Sequence, residues 1–444
     1  VNNENLNGNS EDESIRPLEN AVRVAQVIDP LSNNQIQHTK KLGEDFFKDL
    51  ILKSIPKESQ ITNIRFEGPY VALYTLNPKF SLTELTYYLS SLSKNVKKRF
   101  VVRTDPSIRL SEDETRSAVI KMLPSKVTIS AVFCDDATGE VVLEVNHPES
   151  VDANMVITIA QATGWIAHTL RSPHIQSSSM NIIHSTQKGS AKERSLFLQS
   201  LGKRVFRPPV VLESEGLNLN YTNQSNKKKS EYTELKSKVR NREEILIFCL
   251  GGVKQVGRSC FIVVTSESKI MLDCGINPGE PLGISGYPRL DWFNFNLDEI
   301  DAVVISHAHI DHQGFLPTLF KFGYKGPVYC TEPTLPLMTL LQYDSVKISK
   351  SNGTFLPYET RDVNEVIKHC ITLPYGKPTD ISPDITITFN NAGHIMGSAT
   401  VHINIFGTHN ILYSGDYKYA RTQLLDSAVS VYPRVETLIT ESTY

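Results

Sequence analysis

Three histidines and an aspartate fall within six positions in His307-Ala308-His309-Ile310-Asp311-His312. Neutral imidazole and carboxylate are the side chains that hold zinc, at Zn–N distances of roughly 2.0–2.1 Å. Four such groups at this density, placed at a strand end, point to a metal more than to a histidine-rich surface loop. The strand is the apolar run Ile300-Asp301-Ala302-Val303-Val304-Ile305 directly before the cluster. Two more strand ends bring residues of the same type. His394 follows Ile385 to Phe389 through Asn391-Ala392-Gly393, and Asp416 follows Ile411-Leu412-Tyr413 through Ser414-Gly415. A further carboxylate, Asp273, closes Ile270-Met271-Leu272 and is poised to orient a ligand from behind. With the opening cluster these residues complete most of a two-metal site.

The elements that must position them begin near Glu244. Ile245 to Leu250 reads as a buried strand followed by the glycine-bearing stretch Gly251 to Cys260. A phosphate-binding loop is excluded there, because the G-x-x-x-x-G-K-[ST] spacing is absent and a second strand, Phe261 to Val264, follows where a helix would be needed. Beyond His312, Gly314 to Phe322 looks like a helix laid over the sheet, and Val328 to Cys330 and Val401 to Ile405 supply more strands. Strands and helices alternate irregularly, which predicts a layered α/β sandwich.

Upstream, residues 1–41 are polar and without period, as expected of a disordered tail. Leu42 to Ile55 has helical spacing, Ile64 to Thr75 forms a hairpin around Gly68-Pro69, and from Ser81, an expected N-cap, leucines 82, 85, 89 and 92 line one helix face. Lys97-Lys98-Arg99 then leads into a strand. The order repeats. Ser111 caps a helix to Leu123, two strands flank Asp135 to Gly139, Asp152 opens a helix, and a short helix to Arg171 is expected after Gly164-Trp165-Ile166-Ala167. From 191 to 243 the chain turns basic and polar, the composition of a linker. Its Lys203, Arg204 and Arg207 could also track phosphates.

Hydrophobic residues make up 40% and the net charge is −2, so any nucleic-acid surface must be a local patch. Six cysteines without a C-x-x-C pair suit a reducing cytoplasm. No apolar run approaches the ~20 residues of a membrane span. A start on Val1 and a stop at Tyr444 just after a strand-like run suggest a piece of a longer protein.

The duplicated order resembles the type II KH domain, an RNA-binding module whose G-x-x-G loop joins two helices. The matching stretches are Gly164-Trp165-Ile166-Ala167, which keeps the first glycine, and Lys94-Asn95-Val96-Lys97, which keeps none. Trp165 is either a base-stacking platform or a core residue. His307-x-His309-x-Asp311-His312, His394 and Asp416, preceded by Asp273, resemble the metallo-β-lactamase fold over 244–444. Thr440-Glu441-Ser442-Thr443-Tyr444 narrows the resemblance to β-CASP nucleases, and KH-like domains ahead of such a nuclease look like the archaeal homologues of the cleavage and polyadenylation specificity factor. The resemblance implies an α+β and α/β multidomain chain: a KH-like domain over 42–106, a second over 107–190, a basic linker over 191–243, and a truncated metallo-β-lactamase αββα sandwich over 244–444 without its β-CASP insert. It assigns His307, His309 and His394 to one zinc, Asp311 and His312 to a second, and Asp416 to a bridging position. Asp273 would hold a ligand histidine, and Glu441 would support a general-acid histidine beyond the insert.

The implied function is a zinc-dependent ribonuclease, using a metal-bound hydroxide, in RNA 3′-end formation and transcription termination. Its two zincs would lie roughly 3.5–4 Å apart. Such chemistry needs no ribose 2′-hydroxyl, so DNA could also be cut. Weak or no turnover is expected of this piece. The alternatives are a non-catalytic RNA-binding regulatory subunit and a small-molecule hydrolase of the same fold. Implied partners are single-stranded RNA and RNA polymerase or the transcription elongation complex, with a homodimer for the full-length protein and a cytoplasmic setting. RNA contacts would come from Lys97, Lys98, Arg99, Gly164, Trp165, Lys203, Arg204 and Arg207.

Overall fold

A computed structural model describes residues 44–96, 98–173, 177–206, 245–279, 284–293 and 296–442. The expected tail, Lys97, Arg207 and most of the expected linker lie outside the described residues. Two units of the same order open the chain. The first runs α1 (Glu44–Ser54), β1 (Ile61–Glu67), β2 (Tyr70–Thr75), α2 (Pro78–Leu82), α3 (Leu85–Val96) and β3 (Arg99–Thr104). The second runs α4 (Glu112–Met122), β4 (Ile129–Asp135), β5 (Glu140–Val145), α5 (Ala153–Thr163) and β6 (Ile166–Arg171). In each, the first two strands pair antiparallel and the third joins the second in parallel. Leu85, Leu89 and Leu92 bury one face of α3 beside Ile64 and Leu73, and Val119, Leu143 and Ile159 do the same work in the second unit. Ser111 and Glu114 form a reciprocal capping box, and Asp152 accepts from Met155 N. Both satisfy amide groups that a helix start leaves without partners.

Four sequence expectations change here. Ser81 caps no helix: it is buried inside α2, whose cap is Asn77, with its hydroxyl on Thr75 Oγ1, and Leu85, Leu89 and Leu92 belong to the separate α3. The helix expected to Arg171 is strand β6: Gly164 ends α5 in the left-handed conformation at φ 72°, and Ile166–Arg171 pair with β5. Neither stretch taken as the G-x-x-G loop joins two helices. Lys94 lies in α3 near its C-terminal end, Gly164 lies between α5 and β6, and the helix junction of the first unit is Thr83-Glu84. The linker expected from 191 opens instead with a helix. Ser178–Gly189 (α6) and Ala191–Val205 (α7) lay Ile183 into the core under the sandwich helices and Leu201 against β1. Apolar residues at helical spacing within a basic segment explain the difference.

The remainder is a two-sheet sandwich. Its strands are β7 (Leu246–Gly251), β8 (Cys260–Val264), β9 (Lys269–Leu272), β10 (Ala302–Val304), β11 (Val328–Cys330), β12 (Cys370–Thr372), β13 (Thr379–Asp380), β14 (Ile385–Asn391), β15 (Ala399–Ile405), β16 (His409–Tyr413) and β17 (Thr437–Ile439). One sheet has the order β12-β11-β10-β9-β8-β7, with β9 to β12 parallel, and the other the order β13-β14-β15-β16-β17. Alternate residues of both sheets meet in one core, Val263, Leu272, Val304 and Tyr329 against Ile387, Phe389, Val401 and Ile403. The outer face of the first sheet carries the helices Ile310–Gln313 (α8), Leu316–Lys321 (α9), Thr334–Asn352 (α10) and Thr360–His369 (α11). Among the described residues no helix lies against the second sheet. The extended segment 417–436 runs beside it and bonds to Asn391, Ala392, Thr400 and His402.

Candidate metal centre

Parallel strand β10 stops at Val304, and the chain turns through Ser306 and His307 into α8, with His309 at its N-cap. The loop after β9, with Ser259 at the end of the β7–β8 loop, clamps this turn from the side. Ser259 N donates to Asp311 O, Cys274 N to His312 O and Ile276 N to Ile310 O. Gly275 is required for that approach, because a Cβ there would stand 1.6 Å from Asp311 O. From the helical layer, Gln342 donates to Gln313 and Gln313 to Ala308 O, both inside the core. His394 arrives after β14 with its amide on Ser398 Oγ, and Asp416 arrives after β16.

Four of the predicted ligands converge. One donor atom each from His307, His309, His394 and Asp416 lies within 4.8 Å of all the others. His309 Nδ1 stands 3.1 Å from both His307 Nε2 and His394 Nε2. A second group adjoins the first: His312 Nε2 is 3.1 Å from Asp416 Oδ1 and 3.7 Å from Asp311 Oδ2. Asp416 turns its other oxygen, Oδ2, towards His394 and His307, at 3.6 and 3.9 Å.

Asp273 organises the cluster from beneath. It is fully buried and held at φ 56°, a conformation uncommon outside glycine. Its carboxylate accepts from Ser306 N, Ser306 Oγ, Tyr413 OH and His312 Nδ1 at 2.6–2.7 Å. Ser306 Oγ, having given its proton to Asp273, accepts from His307 Nδ1 at 3.0 Å. Both rings are therefore fixed with Nε2 facing the cluster. Neither residue type nor spacing marks Ser306 and Tyr413 as site residues. Their sequence signal is only their place beside the ligands at two strand ends.

Charge follows geometry. Burial, with His312, His309 and His394 nearby, holds His307 well below its ordinary pKa and so neutral, and burial also lowers His394. His312 is opposed by burial, yet the Asp273 and Asp416 carboxylates push it up to about 10. Burial raises Asp416, but the His312 and His394 rings pull it below the usual carboxylate range. The donor set fits a cation. His309 Nδ1 can offer one proton to only one of its two nitrogen neighbours, so lone pairs are left facing one another until a positive ion stands among them.

Glu441 sits at the rim, its Oε1 accepting from Tyr417 N at 2.9 Å, and burial holds its carboxyl above the usual range. The residues expected to bind RNA are scattered elsewhere. Trp165 is 3% exposed, donates to Leu110 O and stacks under Arg109, so it offers no face to a base. Gly164 is enclosed as well, since a Cβ would meet Ile108 O at 2.2 Å. Lys98 pairs with Asp380, Arg99 donates to Thr379 Oγ1 and covers Tyr70, and Arg204 donates to Asp301 O. These three fasten domains together. Lys203 is exposed.

Residues 44–109 match the KH domain of transcription termination factor FttA, and residues 262–443 match a metallo-β-lactamase superfamily domain. The chain joins a KH domain to a metallo-β-lactamase fold. Its close homologues are named transcription termination factor FttA. That of Cenarchaeum symbiosum (strain A) is 42% identical over 399 residues, covering 89% of this chain and 57% of the relative. That of Methanothermobacter thermautotrophicus is 38% identical over 401 residues, covering 89% and 58%. The KH–metallo-β-lactamase chain thus spans less than two thirds of either relative. The fold and the histidine–aspartate group point to a metal cofactor and to a hydrolase.

Proposed function

We propose that the chain carries the metal-binding part of a zinc-dependent phosphodiesterase that cleaves single-stranded RNA in transcription termination, in the cytoplasm. The observation that carries this reading is the pair of adjoining donor groups that share Asp416. A KH domain in the same chain and relatives named termination factors support RNA as the substrate and the transcription complex as the setting.

In this reading His307, His309 and His394 would hold one zinc, Asp311 and His312 would hold a second, and Asp416, which faces both groups, would serve either. Zinc held there would supply a nucleophile from water at neutral pH and draw charge from the phosphoryl oxygens. The chain's own residues do the positioning. Asp273 keeps His312 Nε2 aimed inward, and Ser306 does so for His307. Glu441 orients the group that protonates the leaving oxygen, its carboxylate fixed by Tyr417 N.

Metal analysis and cleavage of an end-labelled single-stranded RNA test the proposal. Zinc should co-purify, and His309→Ala should lose metal and at least a hundredfold in cleavage by a version as long as the relatives. Zinc binding without RNA cleavage by that longer version would sink the nuclease reading, and RNA binding without zinc would favour a regulatory subunit.

A further inference from the structure

Directly after the shared ligand Asp416, the chain reads Tyr417-Lys418-Tyr419. Tyrosine is a large amphipathic residue usually kept partly covered. Here Tyr417 is 42% exposed and Tyr419 74% exposed, with the exposed Lys418 between them. Their backbone is nevertheless pinned to the metal centre. Tyr417 N donates to Glu441, Lys418 N to Ala392 O and Ala428 N to Lys418 O. Lys418 O also lies where a Cβ on Gly393, the neighbour of His394, would come within 2.8 Å. On the His394 side of the same rim, Met396 is 58% exposed. Two aromatic rings and a cation are thus held on a fixed backbone beside the ligands without being packed into the core.

We infer that Tyr417, Lys418 and Tyr419 form a base-stacking lip that receives the nucleotides next to the scissile phosphate of a single-stranded RNA. Every base has a π-face, so exposed tyrosines grip single strands without regard to sequence, while an interleaved lysine pairs with the backbone phosphate. A folded small substrate would need an enclosed pocket, whereas an open rim of rings and one cation suits an extended polyanion carrying flat bases. The lip rests on the phosphodiesterase reading for its substrate. It goes further in supplying the single-strand grip that Gly164 and Trp165, both enclosed, cannot offer.

The test reads binding, not cleavage, with residues 1–444 and their metal content measured alongside. A fluorescent twelve-nucleotide oligouridine is titrated against wild type, Tyr419→Ala, Tyr419→Phe and Lys418→Ala, and an abasic oligomer of the same length serves as control. Tyr419→Ala should weaken oligouridine about fivefold or more, with metal content unchanged, while Tyr419→Phe stays near wild type and the abasic oligomer shows no difference. Lys418→Ala should reduce the salt slope by about 0.7, the value for one phosphate on a single strand. Ultraviolet cross-linking of the wild-type complex should label the peptide holding Tyr417 and Tyr419. Equal oligouridine affinity for wild type and Tyr419→Ala overturns the lip and leaves the nuclease reading standing, as does wild type that binds no oligouridine. Failure of RNA cleavage by the version as long as the relatives, with the stacking pattern intact in residues 1–444, overturns the nuclease reading alone.

Discussion

At the scale of single residues, Asp273 carries the most consequence for its size. It makes no contact with the first donor group, yet its carboxylate takes hydrogen bonds from four donors and sets the tautomer of two histidines. Asp273→Asn keeps the shape but puts an N–H where Tyr413 OH, Ser306 Oγ and His312 Nδ1 need an acceptor. Metal affinity should fall about 10–100-fold, measured by competition with a chromogenic chelator. Tyr413→Phe removes one of the four donors and should cost less than Asp273→Asn in the same titration. Its phenol remains a donor at any physiological pH, because burial and the Asp273 charge raise its pKa well above the ordinary value.

At the scale of elements, the metal centre depends on how closely loops approach rather than on any one strand. Four chain segments meet there, after β9, β10, β14 and β16, and the first two touch through backbone hydrogen bonds. Gly275→Ala would drive a methyl group into Asp311 O, so the turn carrying Asp311 and His312 must shift. The expected outcome is a folded protein, by far-ultraviolet circular dichroism, that binds metal at least tenfold more weakly. Trp165→Ala belongs to a different element and a different consequence. Removing a buried ring and its hydrogen bond to Leu110 O should cost about 3–5 kcal/mol of the second α-β-β-α-β unit, read as a lowered denaturant midpoint, with metal binding unchanged.

At the scale of the whole molecule, α6 and α7 act as the frame that joins the two α-β-β-α-β units to the sandwich. His184 packs at a tilt against Phe133 of the second unit, Gly68 N of the first donates to Leu198 O, and Lys368 of the sandwich reaches Glu193. Gly202 lies so close to β1 that a Cβ would stand 2.2 Å from Phe66 O. Gly202→Ala should therefore lift α7 off the first unit at a cost of about 1–3 kcal/mol. Faster amide exchange in β1 with an unaltered metal content would show the separation, and unchanged exchange would show that the contact tolerates a methyl group.

The histidine–aspartate cluster was legible because its residues are local in sequence: His307, His309, Asp311 and His312 lie within six positions, and His394 and Asp416 each follow an apolar strand-like run. The repeat of helix, hairpin and helix was legible for the same reason, since period and capping are short-range signals. The positions of Ser306 and Tyr413 around Asp273 were not, because they join residues up to 140 positions apart. Nor could the chain show that Trp165 is buried and Tyr419 exposed, or that Lys98, Arg99 and Arg204 face other domains instead of a phosphate. Residue type and spacing alone pointed to a metal centre and named the donor groups that gather there. Which cations and aromatic rings remain free to meet a substrate was decided only when the units packed, because burial and pairing depend on neighbours that are distant along the chain.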